Sequence, residues 1–199
     1  MDTESQLIRK GPCDKCGSSD ANAFYDDGHS YCFSCETHRG GTMENVQRIE
    51  VTADGELQRI TQQWQKSSPK AMPDRALQSS HVSKYSVLVT DTHHYYPYFT
   101  DDQADPVAYK VRSIKDKTFR VIGSLKEAGL FGQQRYGSGR QDRILVVEGE
   151  CDAIAAAALL SQDTPVVSLK GGAAATGRDI KAAYSFLDGF KEIVLCLDA

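Results

Sequence analysis

The stretch Ile144-Leu-Val-Val-Glu-Gly-Glu-Cys-Asp152 decides how this chain is read. Its four apolar residues, Ile144 to Val147, have the length and branching of a buried parallel strand, and the run stops at Glu148-Gly149. The alanine-rich segment Ile154–Leu160 then reads as a helix. Glu148 therefore stands at the carboxyl end of a strand, the edge of an open α/β sheet where ligands and metals bind. A glycine directly after it lets backbone or phosphate come close. The same pattern also describes a solvated turn after a core strand, so the surrounding chain has to decide between the two.

Downstream the pattern continues with a helix to about Leu160, a strand Val166–Leu169 and a Gly171-Gly172-Ala173 turn. A helix from about Gly177 to Phe190 and a strand Ile193–Leu197 ending in Asp198 follow. This βαβαβ order predicts a parallel sheet with helices on both faces, because such crossovers are right-handed. Asp198 then ends a strand on the same edge as Glu148. Two such carboxylates can share one divalent cation, Mg²⁺ by its preference for hard oxygen ligands. Asp152 reads first as a helix cap or dipole partner. Lys170-Gly171-Gly172 would let a backbone approach a phosphate, although glycines in a strand-to-helix turn need no ligand to explain them.

Upstream, residues 81–143 carry the apolar and aromatic runs Val87–Val89, Tyr95–Phe99, Val107–Ile114 and Phe119–Ile122, with hairpin loops at Asp101–Asp105 and Lys115–Lys117. This predicts an antiparallel β subdomain. Alternation places Lys110 and Arg112 on one strand face, with Arg120 on the next strand able to join them. The whole chain has a net charge of −4, yet Lys110 to Arg143 holds nine basic against three acidic residues. That local excess is either a solvated face or a phosphate-binding surface.

Residues 43–80 are rich in Gln, Ser, Thr and charge and close on Pro69 and Pro73, the composition of a linker, with a helical patch around Leu57–Trp64. Trp64, the one tryptophan, is either an anchor onto the following domain or a platform for a base.

Residues 1–42 hold the remaining signal. Cys13, Cys16, Cys32 and Cys35 form two C-x-x-C pairs separated by fifteen residues, enough for a hairpin that brings two knuckles onto one ion. Four thiolates close a tetrahedral zinc shell with no open position, so the zinc is structural, and so small a segment depends on it for folding. His29, Ser30, Tyr31 and Phe33 lie beside the ligands. An aromatic face with short hydroxyls can stack on and hydrogen-bond unpaired bases; His29 could equally be a spare ligand or a plain hairpin residue.

Clustered cysteines argue for metal over disulfides and hence for a reducing cytoplasm. No apolar run reaches membrane-spanning length, and Met1 to Arg9 lack the character of a secretory leader.

The ribbon with Asp27-Gly28-His29, the linker, the basic β region with Lys110-Val-Arg112, Lys117 and Leu130-Phe-Gly132, and the Glu148 strand resemble, over essentially the whole chain, the primase half of the tailed-phage bifunctional primase-helicases. The resemblance implies a mixed α+β and α/β fold: zinc ribbon, linker, antiparallel β subdomain and a Toprim-like βαβαβ sheet over residues 144–199. It implies template-directed synthesis of short RNA primers on single-stranded DNA, with the ribbon reading the template. Ribonucleoside triphosphates, a fused replicative helicase and a DNA polymerase would be the partners.

Carried over, Glu148 resembles the catalytic, magnesium-linked glutamate and Asp198 the first aspartate of an Asp-x-Asp motif. Lys110, Arg112 and Lys117 resemble the nucleotide- or phosphate-contacting residues, which Arg120 joins on the strand-face reading, and His29, Ser30 and Trp64 resemble template-reading ones. The family pattern calls for a second aspartate two positions after Asp198, where the chain stops at Ala199. The expectation is a fragment with little or no activity alone.

A non-catalytic zinc-ribbon and Toprim recombination mediator is the alternative. Such proteins usually carry a helical hairpin before the zinc site, and only twelve residues precede Cys13. A Toprim nuclease or topoisomerase fragment would lack this ribbon.

Overall fold

The computed structural model describes residues 6–25, 28–39, 53–137, 141–160 and 164–198. Asp27 of the Asp27-Gly28-His29 motif, Arg140 of the basic stretch and residues 43–52 of the expected linker lie outside them. Four short antiparallel strands come first, β1 (Leu7–Gly11), β2 (Asn22–Tyr25), β3 (Ser30–Cys32) and β4 (Thr37–Arg39). The first knuckle closes by a Gly17 N–H to Cys13 carbonyl bond of 2.9 Å, with Gly17 at φ 73°, a left-handed turn that glycine takes without strain.

The second antiparallel group is β5 (Leu88–Val89), β6 (His93–Tyr98), β7 (Ala108–Ser113) and β8 (Phe119–Gly123). Its hairpin loops fall where the sequence predicts. At the β7–β8 tip, Lys117 takes a left-handed φ of 56°. Residues alternate across the sheet. Tyr95, Tyr109 and Val111 share one face with Leu88 and Ile122, while His94, Tyr96, Lys110 and Arg112 point to the other, His94 opposite Arg112 and Tyr96 opposite Lys110.

The first face is covered by α1 (Ala53–Lys66), which lies inside the segment read as linker, and a short α2 (Ser79–Lys84) follows it before β5. Leu57, Ile60 and Trp64 form its apolar stripe, at the spacing of one helix face. Ile60 is fully buried, a contribution of about 2–3 kcal/mol, so this part of the segment is core rather than tether. The long polar side chains of α1 disguise the stripe in sequence.

The two antiparallel groups form one eight-stranded sheet in the order β4-β3-β2-β1-β8-β7-β6-β5. β1 lies against β8 with Arg9 opposite Arg120. Like charges directly opposed are unfavourable, but each is drawn elsewhere. Arg9 sits 3.7 Å over the Phe24 ring, and Arg120 makes a two-pronged ion pair with Glu56 of α1 at 3.1 and 2.9 Å. This joint leaves no local sequence signal, since it pairs strands more than a hundred residues apart.

The remaining chain forms β9 (Arg143–Val147), α3 (Glu150–Leu159), β10 (Val166–Ser168), α4 (Thr176–Ala182), α5 (Tyr184–Leu187) and β11 (Glu192–Cys196). Its three strands are parallel in the order β10-β9-β11. Ile144 and Val146 of β9 pack with Phe186, Leu187 and Phe190, while Val147 packs with Ala153 and Ile154 of α3. Helices thus pack on both faces of β9, as the βαβαβ order predicts, while β11 is largely exposed. The single helix expected over residues 177–190 is broken at Ala183, and Phe186 and Leu187 of α5 pack into the core beneath the sheet while Tyr184 is exposed.

The second face of the large sheet packs onto α3. Tyr96, Tyr98 and Ala108 share a core with Val147, Ala153 and Ile154. The strand ends of the small sheet are thereby held beside Lys110.

Candidate metal centre and catalytic edge

The four cysteine sulfurs converge. All lie within 4.8 Å of one another, with Cys13–Cys35 at 3.8 Å and Cys16–Cys32 at 3.7 Å, and none is in a disulfide. Four sulfurs about 2.3 Å from one tetrahedral zinc are about 3.8 Å apart, so the donor set fits that ion. The thiols are unequal. A hydrogen bond with the Thr37 hydroxyl at 3.2 Å holds Cys35 down at about 6, while burial pushes Cys32 up to about 11. Binding zinc through four thiolates would therefore release protons, and the ion would have to hold Cys32 deprotonated.

Near the centre, His29 stacks on Tyr25 with centroids 4.1 Å apart and planes at 8°, and His38 lies 5.2 Å from His29 at 25°. Ser30 is buried at the start of β3. Trp64 belongs to the core around α1: its indole N–H donates to Ser86 O at 2.6 Å, and its ring meets Phe99 edge-on.

The parallel pairing puts the carboxyl ends of β9, β10 and β11 on one edge. Glu148 follows β9, Asp198 follows β11, and the Asp198 N–H donates to Glu148 Oε2 at 3.3 Å. Gly172, after β10 and at φ 70°, faces the same carboxylate; a Cβ there would stand 3.5 Å from Glu148 Oε1. The structure thus brings Glu148, Asp198 and the glycine turn together. Asp152 caps α3 by accepting the Gly149 N–H at 3.1 Å, as its sequence position suggests. Burial pushes its carboxyl up. The Gly149 N–H opposes that shift, and the charges of Asp198 and Glu150 add to it, so the edge is an acidic field. Hard oxygen donors in such a field suit Mg²⁺. Among the described residues the four cysteines are the one group of three or more metal-capable side chains that converge; Glu148 and Asp198 are a pair.

The basic residues diverge. Lys110 Nζ meets Glu150 Oε1 at 2.8 Å and the Lys170 carbonyl at 3.1 Å, and Tyr98 donates to the same Glu150 oxygen at 2.6 Å. Arg112, only 3% exposed, pairs with Asp74 at 3.0 Å, and His94 Nε2 stands 3.4 Å from the other Asp74 oxygen. Arg120 is engaged by Glu56. Lys117 is exposed at its hairpin tip. Lys170, half-buried, donates to the carbonyls of Leu125 and Ala128, and Asp179 accepts the Lys170 and Gly171 N–H groups.

Glu150, Tyr98, Asp74 and His94 are the site neighbours that sequence reasoning missed. A signal was present. The period-two series His94, Tyr96, Tyr98 places polar tips opposite Lys110 and Arg112, which marks that face as a buried polar interface rather than an open one.

No protein-family model matches the sequence. A DNA helicase/primase of Enterobacteria phage T3 is 31% identical over 204 residues, covering 98% of this chain and 36% of that relative. The chain thus spans about a third of that protein. Among solved structures, the primase fragment of the bacteriophage T7 primase-helicase superposes with a TM-score of 0.60 at 29% identity, over 98% of this chain and 81% of that one. The structure of phage T7 lagging-strand DNA polymerase interacting with primase domains of two gp4 subunits bound to an RNA/DNA hybrid and dTTP gives 0.58 at 30% identity, over 97% and 81%.

Proposed function

Because the chain belongs to the primase half of the phage primase-helicases, we propose that it serves template-directed synthesis of short RNA primers on single-stranded DNA. The observation that carries this reading is the shared strand edge, where Asp198 is bonded through its N–H to the Glu148 carboxylate beside the Gly172 turn. Glu148 and Asp198 would hold Mg²⁺, which, when bound, neutralises charge building on the phosphates of a ribonucleoside triphosphate.

The chain's own residues have separable tasks. Asp152 fixes the Glu148-Gly149 turn by capping α3. Lys110 locks α3 to the β subdomain through Glu150, and Arg112 holds the Asp74 turn. Lys117, exposed at its tip, is the basic residue best placed to meet phosphate from solvent. The ribbon, with His29 and Ser30, reads the template. Trp64 serves as an anchor for α1, supported by its bond to Ser86. The T3 and T7 proteins support a replicative helicase and a DNA polymerase as partners. No helix among the described residues is long and apolar enough to cross a membrane.

The test offers the natural protein that carries this sequence single-stranded templates, Mg²⁺ and labelled ribonucleotides. Template-dependent short oligoribonucleotides are expected. DNA binding without any synthesis would overturn the reading in favour of a non-catalytic mediator.

A further inference from the structure

Three rings form one column on the ribbon. Tyr25 closes β2, His29 stands directly before β3, and His38 lies in β4 opposite Tyr31, so the strand pairing itself lines them up. Tyr25 stacks on the His29 ring at 4.1 Å from β2, and His38 stacks on it at 5.2 Å from β4, the strands on either side of β3. The His29 ring is thus already engaged by stacking on two neighbours. His38, at the end of the column, is exposed. Beside it Arg39 makes, among the described residues, a surface pair with Asp14 at 3.3 Å, the side chains 55% and 81% exposed, and a phosphate can compete for such a cation.

From this geometry we infer that the outer face of His38 is a docking site for one unpaired base of the template. The site supplies affinity without sequence choice, and Arg39 takes the adjoining phosphate. The inference rests on the template-reading role proposed for the ribbon and divides that role between residues. Every base has a π-face, so stacking tolerates any base, whereas choice comes from hydrogen bonds to base edges. Loss of His38 weakens all templates alike, and loss of His29 changes which template is preferred.

The experiment titrates the whole protein into single-stranded oligodeoxynucleotides of several sequences, each carrying one 2-aminopurine whose emission is quenched by stacking. His38→Ala and His38→Leu should lose the quenching and bind every sequence about five- to a hundredfold more weakly, the worth of one stacked base. His38→Phe should keep both, and zinc content should stay near one per chain in His38→Leu and His38→Phe. Wild-type affinity in His38→Leu overturns the inference, as does loss of affinity in His38→Phe with zinc retained. If His29→Ala weakens or reshapes binding while His38→Leu does not, the stacking site alone falls. If the wild type binds no single-stranded DNA, the template-reading role falls with it.

Discussion

Lys110 and Glu150 meet at 2.8 Å across the junction of the two sheets, their side chains 19% and 5% exposed. The same carboxylate oxygen accepts Tyr98, and Lys110 reaches on to the Lys170 carbonyl. A cation whose position in a basic strand suggests phosphate contact is thus committed to holding α3, and with it the Glu148 turn, against the β subdomain.

Removing Lys110 leaves a buried carboxylate with one hydroxyl partner. Lys110→Ala should therefore cost about 3 kcal/mol in chemical denaturation. Lys117→Ala, at an exposed tip, should change stability by less than about 0.5 kcal/mol.

The Asp74–Arg112–His94 cluster makes stability depend on pH. Burial holds the His94 imidazole below its usual 6.5; Asp74 pulls it up, and the charges of Arg112, Arg75 and His93 push it further down. The unfolded chain binds the proton near 6.5 and the folded chain only at lower pH. This contribution is therefore complete above 6.5 and lost as pH falls below it, with a slope of at most about 1.4 kcal/mol per pH unit. Denaturation midpoints between about pH 5 and 8 should show that slope in the wild type and a flatter one in His94→Gln.

For the ribbon, elemental analysis should find close to one zinc per chain, lost in Cys32→Ser. Chelation should speed amide exchange in β1 to β4 and expose the β8 edge, because the strands are too short to stand without the ion. Since burial pushes Cys32 up to about 11, zinc affinity should weaken as pH falls.

Trp64→Phe removes the donor to Ser86 O and should cost about 1–2 kcal/mol, with single-stranded DNA affinity unchanged. An affinity loss beyond about fivefold, equal to 1 kcal/mol, at unaltered stability would instead make Trp64 a base platform.

The strand ends and knuckles were legible because their signals are local. An apolar run stopping at Glu148, another stopping before Asp198, and two C-x-x-C pairs each lie within a few residues. What stayed hidden depends on distant partners. Asp74 meets Arg112 from 38 residues away and Glu56 meets Arg120 from 64 away, so both arginines read as surface cations. The stripe Leu57, Ile60, Trp64 is too sparse to mark α1 as core among its polar neighbours. The joint of β1 with β8 depends on two free strand edges meeting, which alternation within either strand does not encode.

The most direct test compares primer synthesis by the natural protein carrying this sequence with that of its Glu148→Gln variant, at matched zinc content and matched affinity for single-stranded DNA. The substitution keeps the side-chain shape and removes the charge from the strand edge. Synthesis should fall by more than about a hundredfold, the upper range for groups that only support a metal ligand. Primers made at the wild-type rate by Glu148→Gln would contradict the account, because the edge shared with Asp198 would then not be where the chemistry occurs.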